Sequence, residues 1–278
     1  DAVSLAANLT ESDLVDLGDG FDTLNLAAGV NIAVVLNVEA IAGTTSNDTL
    51  TLETAQVGTT IDLASGEDTL ILADGDNVVT VSNIETIIAG AGNDAISFAE
   101  SLTEGELIDL AGGEDTLILP EGDNAVTVLN IETIIAGGGN DAVRFATNVT
   151  AGELVDLAGG EDTLILAEGD NVVTVANIET IIAGDGNDDV SFVTNLTEGA
   201  LVDLAGGDDT LILAEGDNST TVANIETVIG GTGDDAITFA TNLTESDLVD
   251  LGDGFDTLGL AAGVNIAVAL NVEAISGT

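Results

Sequence analysis

The sequence predicts an all-β protein: a parallel β-solenoid of the β-roll or β-helix kind. Three observations carry that expectation. The tetrapeptide Asn-Ile/Val-Glu-Thr/Ala begins at Asn37, Asn83, Asn130, Asn177, Asn224 and Asn271, so six units of about 47 residues fill the chain. Self-similarity at a fixed period is the signature of a stacked architecture. Within each unit, short runs alternate apolar with small or polar residues, the period of a strand. Gly-rich acidic turns such as Gly184-Asp185-Gly186-Asn187-Asp188 punctuate the runs at the same place in successive units.

In the third unit the alternation places strands at about 95–98, 107–110, 116–119, 125–128 and 132–136. Residues 101–106 read as a loop or one helical turn, with Thr103 as a weak N-cap. Strands this short need an equivalent strand in the next coil. An Asp-x-apolar-x-apolar motif opens twice per unit, at Asp48, Asp94, Asp141, Asp188 and Asp235 and at Asp22, Asp68, Asp115, Asp162, Asp209 and Asp256. The two series lie 26 and 21 residues apart, which suggests two unequal coils per repeat. Residues 8–44 and 242–278 differ only at Asn25/Gly259, Val35/Ala269 and Ala42/Ser276. Residues 1–278 therefore read as one continuous solenoid segment of a longer repeat array.

Composition narrows the chemistry. The chain has 51 acidic residues, one Arg, and no His or Cys, for a net charge of −50. Yet 45% of its residues are hydrophobic, too many for a disordered acidic tail. Nucleic acid is excluded as a partner, because phosphate contacts need Lys and Arg. Anionic lipid is disfavoured for the same reason. No apolar run reaches the ~18 residues that span a bilayer, so no membrane insertion is expected. No Cys means no disulfide framework.

The charge points to cations. Coils stacked about 4.8 Å apart turn each repeated Asp into a column of like charges. Two carboxylates at that spacing repel by ~0.9 kcal/mol in water and ~3.5 kcal/mol at an effective dielectric of 20. A divalent ion between rungs relieves that repulsion. Oxygen-only donors select Ca²⁺ or Mg²⁺ over zinc or copper, and flexible turns favour Ca²⁺.

Gly230-Gly231-Thr232-Gly233-Asp234-Asp235-Ala236-Ile237-Thr238 resembles the RTX (repeats-in-toxin) nonapeptide, Gly-Gly-x-Gly-x-Asp-x-apolar-x. Gly90–Ile96, Gly137–Val143 and Gly184–Val190 resemble it from the second Gly onward, as do Gly18–Leu24 and Gly252–Leu258. The resemblance implies a parallel β-roll, secretion by the type I route, and Ca²⁺ held between turns by Asp side chains and loop carbonyls. It makes Asp22, Asp48, Asp94, Asp141, Asp188, Asp235 and Asp256 candidate ligands, with the neighbouring Asn93, Asn140, Asn187 and Asp234. Asp115, Asp162 and Asp209 join them with shifted glycines. The family runs its motifs back to back, whereas here they are 21 and 26 residues apart.

Other columns have structural readings. Asn37 and its five equivalents form an internal ladder. Glu39, Glu85, Glu132, Glu179, Glu226 and Glu273 are exposed strand residues, or more sharply a cation column. Asp16, Asp62, Asp109, Asp156, Asp203 and Asp250 face solvent. Phe98, Phe145, Phe192 and Phe239 stack in the core. Asn8, Asn148, Asn195 and Asn242, each in Asn-x-Thr, are turn formers rather than glycan acceptors.

No His, Cys or Lys is present to build a catalytic set, and every acidic residue has copies, so the chain is not expected to be an enzyme. The expected function is a secreted, calcium-stabilised structural repeat protein: a shaft, filament or surface-layer segment of a bacterial cell surface or matrix. Its partners would be Ca²⁺ and further copies, joined end to end or laterally. The alternative is an extender or ligand- or ice-binding region of a giant adhesin, displaying Thr23, Thr69, Thr116, Thr163, Thr210 and Thr257.

Overall fold

The computed structural model describes residues 1–103, 105–150 and 152–277. Two compact units, residues 1–137 and 138–278, are each a stack of parallel strands in two sheets. Among the described residues there is no helix, hence none long and apolar enough to cross a membrane. The parallel β-solenoid expected from the sequence is the fold observed.

All five strands read in the third unit are present: Ala95–Phe98, Glu106–Asp109, Thr116–Ile118, Ala125–Leu129 and Thr133–Ile135. The loop before Glu106 holds Thr103, whose N–H and hydroxyl both donate to Glu106 Oε1 at 3.0 Å. This is a capping closure without a helix. Glu104, part of the expected turn, lies outside the described residues.

Successive strands alternate between the two sheets. Two strands make one coil, so five strands make two and a half coils per repeat, not two. The half coil has a physical consequence. Equivalent segments of neighbouring repeats land on opposite sheets: Thr23–Asn25 and Thr116–Ile118 lie in one, Thr69–Ile71 in the other. Both sheets of a unit therefore carry the same chemistry in turn. Unlike the exposed Phe21 and Phe255, Phe98, Phe145, Phe192 and Phe239 line the core, each at most 5% exposed. They do not stack on one another, because Phe192 falls on the sheet opposite Phe145 and Phe239.

The core is a double layer of aliphatic columns. Register pairs Ile96 with Leu117 and Leu117 with Ile134 on one sheet. On the other, Leu70, Ile87, Ile108 and Val128 follow rung by rung. All are fully buried, each worth roughly 1.5–3 kcal/mol relative to exposure. Small and β-branched residues suit this narrow space, which explains the absence of Trp, Tyr and Met.

The turns stack backbone on backbone. Gly139 and Gly186 adopt φ of 145° and 151°. A Cβ on Gly160 would lie 1.8 Å from the Gly139 carbonyl oxygen one coil away, and one on Gly207 would lie 1.7 Å from that of Gly186. Nothing comes within 4 Å of a Cβ on Gly159. Gly160→Ala is therefore expected to cost roughly 3 kcal/mol or more in urea unfolding, while Gly159→Ala stays within about 0.5 kcal/mol. Equal effects at the two positions would mean that these turns are not packed on each other.

Candidate metal centres

The buried ends of the turns form polar columns in which each rung is tied to the next. In the second unit, Val149 N–H donates to Asn171 Oδ1 at 3.1 Å. The backbone and side-chain amides of Asn171 donate to Asp188 Oδ1 at 2.9 and 2.8 Å. Asp188 N–H donates to Asp209 Oδ1 at 2.8 Å, and Asp209 N–H to Glu226 Oε2 at 3.0 Å. The first unit repeats the series through Asn77, Asp94, Asp115 and Glu132, with links of 2.7–2.8 Å. Asp235 N–H likewise reaches Asp256, whose N–H reaches Glu273. Asp141 N–H reaches Asp162, and Asp162 N–H reaches Glu179. Asp22 N–H reaches Glu39 directly, and the Asp1 ammonium donates to Asp22 Oδ1.

Why these residues? A turn between two parallel strands leaves N–H groups that the sheet ladder cannot use, and a buried unpaired N–H is costly. A short carboxylate from the adjacent rung accepts it, an interaction worth roughly 1.5–3 kcal/mol for a charged acceptor.

That arrangement uses one oxygen per Asp. Among the described residues, the Oδ2 atoms of Asp22, Asp68, Asp94, Asp115, Asp162, Asp188, Asp209, Asp235 and Asp256 have no hydrogen-bond partner. These residues are at most 1% exposed. Burial pushes the Asp115 and Asp162 carboxyls up to about 6 and that of Asp209 up to about 7; the donated N–H opposes this, and the Asp one rung away adds to it. Burial also raises Asp68, Asp188, Asp235 and Asp256.

The expected ligand set divides in three. The Asp residues above sit inside, with a bare oxygen. Asp48 is as deeply buried but has none to spare: Oδ1 accepts Gly29 N–H, and Oδ2 accepts the Thr44 N–H and hydroxyl. Its turn lacks glycines, and Thr44 takes their place as a donor. Asn93, Asn140, Asn187 and Asp234 are exposed at the turn tips, where their Oδ1 atoms accept the N–H groups of Glu114, Glu161, Asp208 and Phe255. They fasten a second, outer seam between coils.

Two groups escaped the sequence reading. The Glu39 series, expected on exposed strand positions, accepts the Asp N–H and, except for the exposed Glu273, is half-buried. Asn77, Asn171 and Asn218 head the columns. The signal was a constant 17-residue step from Asn to Asp and from Asp to Glu. The internal ladder expected of the Asn37 series does not form: these residues are exposed or half-buried, in left-handed backbone near φ 51–54°, fall two and a half coils apart, and donate to the Oδ1 atoms of the mid-strand Asp series. Asn148 and Asn195 spend their side-chain amides on the carbonyls of Asp170 and Asp217, consistent with turn formation.

Among the described residues no three carboxylates are arranged to hold one metal ion. An ion at these columns would take one or two carboxylates, with carbonyls and water completing its shell. Comparison with protein-family models, curated proteins and solved structures gives no match.

The raised carboxyl groups bind protons more tightly folded than unfolded, so they stabilise the fold fully below about pH 4 and lose that contribution as pH rises through about 6 to 7. Metal-free protein is accordingly expected to show a falling urea midpoint between pH 5 and 8. Asp209→Asn should flatten that slope while keeping the Asp188 N–H bond. A midpoint that rises over this range would contradict the columns as described.

Proposed function

We propose that this chain is a secreted, Ca²⁺-stabilised structural repeat protein, serving as a shaft, filament or surface-layer segment of a bacterial surface or matrix. The observation that carries the proposal is the file of buried, partnerless Asp Oδ2 atoms on consecutive rungs. At neutral pH such oxygens need a proton or a cation, and hard oxygen donors without His or Cys fit Ca²⁺. The residues suited to the role are the pairs Asp94/Asp115, Asp188/Asp209 and Asp235/Asp256, with Asp22, Asp68 and Asp162. Asp48 is left out, because both its oxygens are engaged. The RTX-like motifs fall on these turns and support secretion and folding outside the cell, where Ca²⁺ is millimolar.

A structural role also follows from sameness. The Asn–Asp–Asp–Glu arrangement recurs from column to column, with no Asp pair distinguished from its copies as a catalytic centre would be. Self-association, end to end or side by side, belongs to the same proposal. The adhesin or ice-binding alternative is less well supported. Thr69 and Thr116, consecutive members of its proposed row, fall on opposite sheets. Thr49, Thr69 and Thr86 do occupy adjacent rungs, but Leu107 interrupts them on the next.

The test is far-UV circular dichroism at pH 8 in EDTA and across a CaCl₂ titration. Weak β-signal in EDTA and full β-structure near Kd values of ~10⁻⁴–10⁻³ M are expected. Replacing Asp188 and Asp209 together by Asn should reduce the Ca²⁺ requirement. A β-spectrum indifferent to EDTA would overturn the proposal.

A further inference from the structure

In the first unit, the polar column through Asp68 ends where two Glu residues meet on adjacent rungs. Asp68 N–H donates to Glu85 Oε2 at 2.7 Å. The next rung brings Glu106, since Thr86 pairs with Leu107 and Leu107 N–H donates to the Glu85 carbonyl. No N–H passes between these two carboxylates. A cleft of about 170 Å³ opens beside them, with Phe98 and Leu102 among its apolar residues and Asn83, Glu85, Thr103 and Glu106 among its polar ones. Glu106 is 7% exposed; Thr103 holds its Oε1, and its Oε2 is buried without a partner.

We infer that this cleft is a divalent-cation site bridging Glu85 and Glu106, separate from the Asp turns. Asp68 fixes Glu85 through Oε2 and Thr103 fixes Glu106 through Oε1, and Glu106 Oε2 is left without a partner. The residues lining the cleft include no Lys, Arg or His, so the charge there is unbalanced by the protein. Two carboxylates plus waters suit Mg²⁺ or Mn²⁺, which keep several waters. The volume is several times that of one water molecule (~30 Å³) and so has room for them.

The second unit supplies an internal control. An equivalent cleft of about 160 Å³ lies beside Glu226, with Asp247 in the Glu106 position. The side chain is one methylene shorter, and both its oxygens are taken by Thr244. This cleft has no free buried oxygen and binds the ion weakly.

Crystals grown in CaCl₂ and then soaked in MnCl₂ test the inference by anomalous scattering at the manganese edge. A manganese peak between Glu85 and Glu106 is expected in the wild type, with none beside Asp247. Glu106→Gln keeps an acceptor for Thr103 and should lose the peak. Asp247→Glu should create one in the second cleft. In solution, MnCl₂ added to the Ca²⁺-folded protein should raise the Tm of the wild type more than that of E106Q. A cleft holding only water in the wild type, or a peak and Tm shift unchanged in E106Q, would overturn the assignment. Ions beside Asp94/Asp115 and Asp188/Asp209 would appear as separate peaks in the same maps. Their absence would count against the calcium proposal and leave this one standing.

Discussion

One interaction governs the molecule: the backbone N–H of one coil donated to a carboxylate or amide oxygen of the next. It fixes the distance along the chain between rungs at 17 residues or at 20 to 22 in the turns that carry it. Those steps set the strand register, and the register decides which residues face inward. A slip of one residue would turn Ile96 or Leu117 outward and its neighbour inward. Polar and apolar columns therefore specify each other.

The same interaction creates the chain's main liability. An Asp accepting one N–H through Oδ1 is drawn inside, and its Oδ2 goes with it. A carboxylate desolvated on one side costs more than a neutral acceptor would. The protein combines that cost with a surface of overwhelmingly negative charge. Protons and hard cations both relieve it, by neutralising the buried oxygens and by screening the column. Neutral Asn would do the capping more cheaply, as Asn77 and Asn171 do at the column heads. The use of Asp on the next two rungs is the feature that calls for a counter-ion.

The half coil per repeat spreads this chemistry evenly. In each unit, repeats alternate between sheets, so neither sheet becomes a distinct functional face. Local departures then stand out. Asp48 replaces a glycine turn with a threonine cap and loses its bare oxygen. Glu106, like Glu153, keeps a bare buried oxygen, whereas Asp247 has none. One methylene separates those two outcomes, because the longer side chain reaches Thr103 with one oxygen and still points the other inward.

Much of this was legible in the sequence. The tetrapeptide period, the alternating runs and the Gly-x-Gly-x-Asp turns determined a parallel β-solenoid, the strands of its third unit to within two residues, and the turns whose Asp residues are buried. They did so because strand alternation and glycine turns are local properties, readable wherever they recur. The number of coils per repeat was not local. It depended on which sheet each strand joined, and an odd number of strands per repeat gave two and a half coils. The fate of each oxygen was likewise decided only in three dimensions. The two carboxylate oxygens of an Asp are identical in sequence, and only the neighbouring rung determines that one accepts an N–H while the other is buried bare. The pairing of Glu85 with Glu106, 21 residues apart and on adjacent rungs, belongs to the same class.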